Sequence, residues 1–142
     1  MKQLVSSTEI LNFASELLDQ GQETSFTVTG TSMRPFLKSK ETLVTLASIK
    51  SINPRKFDIV LYQVNACYIL HRIVNQKGND YIIMGDALKV KEVVSKDNLI
   101  GVVVKYEYKN KIILRDNRWM LFKVKFWYLL RGFRRILLKV FR

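Results

Sequence analysis

Cysteine and histidine are almost missing from this 142-residue sequence, which has one of each, Cys67 and His71. A single cysteine excludes an internal disulfide and leaves no cysteine cluster for a structural zinc site. Its simplest expected place is a buried, small apolar position. A single histidine excludes any mechanism that needs two. No run of about 18 residues is free of charge, so no transmembrane helix is expected. The N-terminus lacks the roughly 7–15-residue apolar stretch of a secretory signal, because Glu9, Glu16 and Asp19 interrupt it. Acidic residues stop at Asp116. Internal repeats and low-complexity segments are absent.

What is there is globular in composition: 48% hydrophobic and 25% charged residues, in a length that suits one core. The net charge of +12 is uneven. Residues 118–142 carry eight basic side chains and no acidic one, so +8 belongs to the last 25 residues. This divides the chain into an N-terminal amphipathic helix (1–23), a β-rich domain (24–116) and a basic amphipathic helix (117–142).

In the first segment Ile10, Leu11, Phe13, Ala14, Leu17 and Leu18 form a helical stripe, with Ser7 or Thr8 as cap and Gly21 as stop. In the second, seven strands are predicted at 25–28, 41–49, 57–64, 66–75, 80–84, 99–108 and 111–114. Turn signals at Asn53-Pro54, Asn65, Lys77-Gly78-Asn79-Asp80 and Lys109-Asn110 separate them. Short strands at this spacing imply a compact, mostly antiparallel barrel or folded sheet. In the third, Phe122, Phe126, Leu129, Phe133, Ile136 or Leu137, and Val140 share one helical face, opposite Arg131, Arg135, Lys139 and Arg142. Gly132 interrupts it mildly. Trp119, Trp127 and Tyr128 add rings suited to a membrane interface.

Three segments carry chemistry. In Thr29-Gly30-Thr31-Ser32-Met33-Arg34-Pro35, Gly30 allows a turn closed to other residues and Pro35 stiffens the exit, so Ser32 stands on a constrained loop. Such a loop suits a serine nucleophile, though on its pattern alone it reads as a simple turn. In Tyr68-Ile69-Leu70-His71-Arg72-Ile73-Val74, His71 lies in an apolar strand, on the face of Ile69 and Ile73. It suits a general base for a serine hydroxyl, or a core histidine bonded to backbone. In Met84-Gly85-Asp86, the pair ends a strand. Asp86 either fixes nearby backbone or orients the base, and Glu92 is its rival for that role.

The ordered set Ser32-Met33-x-Pro35, Phe57-Asp58-Ile59-Val60-Leu61-Tyr62, Leu70-His71-Arg72-Ile73-Val74 and Gly85-Asp86 resembles the motif boxes of the signal peptidase I clan. That clan also contains the self-cleaving SOS repressors. The likeness spans residues 28–104, and the His-Arg-Ile-Val setting looks like the endoplasmic-reticulum and spore-former branch. It implies a β-rich serine endopeptidase with Ser32 as nucleophile and His71 as general base. Gly85 and Asp86 would be structural or orienting, and Gly30, Thr31, Met33 and Pro35 would form the oxyanion and substrate loop. Two departures stand out. Gly30 occupies the place of a serine that helps bind the oxyanion in many members, which leaves the Ser32 N–H, with Thr31 or Thr29. After Asp86 the family's Asn and acidic residue are replaced by Ala87-Leu88-Lys89, so a Ser-His dyad is the expected machinery.

The expected partners are a signal or leader peptide and an anionic membrane surface, with no cofactor, no metal and no nucleic acid. Phe122, Phe126, Trp127, Arg131, Arg134, Arg135 and Lys139 are the expected membrane-binding residues of a peripheral protein. Two other functions compete. A self-cleaving regulatory peptidase conflicts with the histidine base and with a first segment too short for a helix-turn-helix domain. A catalytically inactive membrane- or partner-binding module would place Ser32 and His71 apart.

Overall fold

The computed structural model describes residues 7–130 and 139–140. Helix α1 (Ser7–Asp19) is followed by strands β1 (Thr24–Thr27), β2 (Leu43–Ser48), β3 (Ile59–Val64), β4 (Cys67–Lys77), β5 (Asp80–Met84) and β6 (Glu92–Ser95). A short 3-10 turn (Lys96–Asn98) leads to β7 (Leu99–Tyr108), β8 (Lys111–Leu114) and helix α2 (Arg118–Leu129). All strand pairs are antiparallel, in the order β1-β2-β7-β3-β4-β5-β6, with β8 also on β7. The sheet does not close into a barrel. Seven of its strands coincide with predicted ones; β6 was not anticipated.

The turns explain the register. Asn65 and Ala66 both have positive φ (51° and 65°), as do Lys109 and Asn110 (48° and 65°), which is the backbone of two-residue hairpin turns. The first of these pairs Val64 with Cys67, and therefore Val60 with His71 and Ile59 with Arg72. Cys67, at the first position after that turn, is exposed rather than buried as expected.

Helix α1 ends where predicted. Gly21 adopts φ 81°, its N–H bonds to Leu18, and the Gln22 N–H bonds to Leu17, closing the last turn. Leu18 is fully buried and lies so close to Gly101 that a Cβ there would come 2.8 Å from Leu18 Cδ1. The outer residue of the predicted stripe, Phe13, faces solvent instead.

The C-terminal helix differs most from expectation. Asn117 caps α2 by accepting from the Met120 N–H. Its inner face is Val124, Trp127 and Tyr128, packed on Val74 and Met84 with Phe36 and Phe57 at the edge. Trp127 is therefore a core residue, not a membrane-facing one: its side chain is covered and Nε1–H donates to the Asp86 carbonyl at 2.7 Å. Phe122, Phe126 and Leu129 are exposed, as is Lys139. Arg131, Arg134 and Arg135, with Gly132, Phe133, Ile136, Leu137 and Arg142, lie outside the described residues.

Asp86 joins these parts. It is fully buried and takes both donors of the Arg72 fork, Nε and Nη2, each at 2.9 Å, while the Tyr128 hydroxyl donates to the same carboxylate. Arg72 also donates to the Phe57 carbonyl. Burial disfavours the Arg72 charge, but the adjoining Asp86 carboxylate outweighs it and holds the guanidinium above its ordinary range. Replacing Asp86 by alanine strands this charge in the interior. We expect Asp86→Ala to cost about 3–5 kcal/mol in urea unfolding. A loss under about 1 kcal/mol would show that Arg72 finds water or another partner.

Candidate active site

Three chain segments bring the predicted residues together. The first is the loop after β1. Gly30 has φ +87°, which only glycine adopts without strain, and its N–H donates to Ser39 Oγ at 3.0 Å. The backbone then curls through turns closed by Arg34 N–H to Thr31 and Phe36 N–H to Met33. Ser32 is left half-buried on the outside of that curl.

The second is β4. Successive strand residues face opposite ways. His71 therefore points to the Ser32 side and Arg72 to the Asp86 side, and both are buried. The third is the Gly85–Ala87 loop. The Ala87 N–H donates to the Ser32 carbonyl at 2.9 Å, and a Cβ on Gly85 would come 2.7 Å from that same oxygen. Glycine at 85 is what lets this loop press against the backbone of Ser32.

Ser32 Oγ and His71 Nε2 are 3.1 Å apart, 39 residues apart in sequence. On the other side of the ring, His71 Nδ1 lies 3.1 Å from Tyr62 Oη, and Tyr62 donates to Glu92 Oε1 at 2.8 Å. This chain fixes the imidazole tautomer. Tyr62 stays protonated, because burial and then the Glu92 hydrogen bond and charge push its pKa far above the usual tyrosine range. Its one proton is committed to Glu92, so its oxygen can only accept from Nδ1–H. Nε2 is then the lone-pair nitrogen and accepts the Ser32 proton. Burial lowers the His71 pKa below its ordinary 6.5, with Glu92 and then Asp86 pulling the other way. His71 is consequently neutral and basic at pH 7.

The orienting role thus falls to neither expected carboxylate directly. Asp86 is spent on Arg72, Tyr128 and the loop. Glu92 Oε1 stands 4.0 Å from Nδ1 and acts through Tyr62. The motif Phe57–Tyr62 does not by itself point to Tyr62. Its signal was the hairpin register: Val60 opposes His71, and Tyr62, two residues along, shares the same face diagonally.

A cleft of about 230 Å³ opens beside the pair. Gly30, Ser32, Met33 and His71 border it, with Leu11, Phe26 and Leu70 supplying apolar walls. Thr31 is exposed and does not line this cleft, and Pro35 faces away from it toward α2. Along one wall, residues 67–71 of β4 pair, among the described residues, only with β3, because β5 pairing begins at Arg72.

The 3.1 Å contact predicts that Ser32 should react with a fluorophosphonate probe in proportion to neutral His71. We expect labelling of Ser32 to fall as pH drops, with a midpoint below 6.5. Tyr62→Phe removes the acceptor for Nδ1–H and should slow the plateau rate about 10–100-fold without unfolding the domain. An unchanged plateau in Tyr62→Phe would take the tyrosine out of the arrangement. No protein-family model matches the sequence, and a search of curated proteins finds no relative.

Proposed function

We propose that this protein is a serine endopeptidase of signal-peptidase type that removes signal or leader segments. The single observation that carries this reading is the 3.1 Å approach of Ser32 Oγ to a buried, neutral His71 at the mouth of an apolar cleft. In the proposed reaction Ser32 Oγ attacks the peptide carbonyl while His71 Nε2 takes its proton. The new imidazolium keeps its Nδ1–H bond to Tyr62, and the Glu92 carboxylate lies near enough to offset the charge. The oxyanion is bound by the Ser32 N–H, which has no hydrogen-bond partner among the described residues. His71 then protonates the leaving amine, and water repeats the sequence on the acyl-enzyme.

The edge of β4 at Tyr68–Leu70, unpaired among the described residues, supports an extended substrate, added as a further strand whose alternate side chains enter the cleft. The sequence resemblance further implies small side chains just before the cleaved bond. Attachment to an anionic membrane is supported by the exposed Trp119, Phe122 and Phe126, whose rings stack in a ridge at 5.7 and 6.3 Å, and by the basic C-terminal segment. Among the described residues no helix is long and apolar enough to cross a membrane.

Incubation with a panel of secreted-protein precursors tests the reaction. The wild type should cleave at one bond, and Ser32→Ala and His71→Ala should each lose about 10³-fold or more in rate. Retained cleavage by either variant removes that residue from the mechanism. For the membrane, co-sedimentation with phosphatidylglycerol vesicles should drop sharply in Phe122→Ser/Phe126→Ser, whose altered positions lie outside the core. Equal binding would move attachment elsewhere on the chain.

A further inference from the structure

A second cavity, of about 490 Å³, lies behind the Ser32 loop, between that loop, the β7–β8 hairpin and α2. Its size is within the roughly 300–1,000 Å³ of small-ligand sites. Its walls include Phe36, Tyr106, Ile113, Met120, Phe126 and Trp127, and none of them carries a formal charge. Two exposed lysines, Lys38 and Lys123, complete the lining from different elements, and Lys38 Nζ sits 4.7 Å over the Tyr108 ring. There is no acidic residue in the lining or anywhere in α2. Phe122 and Phe126 belong both to this cavity and to the exposed aromatic ridge, so the two surfaces are continuous.

One further observation points to an occupant. Lys38 and Lys123 are the only charged residues in the lining, both exposed, so an apolar interior meets a cationic rim, the complement of an anionic amphiphile.

We propose that this cavity binds an acyl chain of an anionic phospholipid, with the headgroup held between Lys38 and Lys123. The apolar walls take the chain and the lysines take the phosphate. The proposal deepens the membrane reading and is independent of the peptidase chemistry.

Calorimetry with dodecyl phosphate below its micelle concentration tests this on the full chain. The expected result is saturable binding of one molecule per chain, with inorganic phosphate silent. Ile113→Trp, which fills the cavity from β8, should abolish that binding while leaving phosphatidylglycerol vesicle co-sedimentation intact. Lys38→Glu/Lys123→Glu, altered only at exposed positions, should weaken it about tenfold or more and guards against a misfolded Ile113→Trp. Vesicle binding by the wild type with no response to dodecyl phosphate would overturn the cavity and leave the membrane reading standing. Equal binding of inorganic phosphate would reduce the site to an anion contact. Self-association of the chain that Ile113→Trp abolishes, with no lipid response, would assign the cavity to a second copy and overturn the proposal.

Discussion

The Arg72–Asp86 ion pair sits where three remote parts of the chain meet, and the rest of the structure depends on it. Arg72 fixes the middle of β4. Asp86 fixes the loop that follows β5. Tyr128 and Trp127 bring α2 down onto the same aspartate, through its carboxylate and its carbonyl. A bare ion pair removed from water is poor stabilisation, since desolvating both charges offsets most of the attraction. This one is bidentate, and both partners have further hydrogen bonds. Its consequence is positional: the Gly85–Ala87 loop is held against the Ser32 carbonyl, and the residue next to Arg72 in the strand is His71.

Strand alternation separates two jobs that would otherwise conflict. On one face of β4 a charged, permanently protonated side chain locks the fold. On the other an uncharged imidazole waits for a proton. Burial serves both, favouring a matched ion pair on one side and a neutral base on the other. Tyr62 stands between His71 and Glu92 and spaces the carboxylate to 4.0 Å. A carboxylate in direct contact would raise the histidine pKa more strongly. The phenol instead passes on the orientation while weakening the charge effect.

Much of this was legible in the sequence. Strand positions followed from β-branched runs between turn residues, whereas the pairing of Ser32 with His71 was implied only by the resemblance of the whole ordered motif set, since each motif alone reads as a turn or a core strand. Gly30 does adopt the left-handed turn that its loop implied, whereas the close approach that requires Gly85 is visible only in three dimensions. Three features were not legible. Glu92–Ser95 is a four-residue edge strand with one buried valine, too short to show a period. The inward face of α2, and with it the burial of Trp127, was hidden because almost every position from 119 to 130 is apolar or aromatic. The stripe at Phe122, Phe126 and Leu129 looked as good as the one at Val124, Trp127 and Tyr128, and only the buried Asp86 decides between them. Tyr62 was missed because its role depends on hairpin register and on a carboxylate 30 residues away.

The central claim is that His71 is held neutral at pH 7 with its proton on Nδ1, leaving Nε2 free for Ser32. The chain has one histidine, so ring-nitrogen NMR of a ¹⁵N-histidine-labelled sample reads that group without assignment. The account predicts a protonated Nδ1 and an unprotonated Nε2 at pH 7, with a single titration below pH 6.5. An Nε2-protonated ring, or a histidine still charged at pH 7, would contradict it.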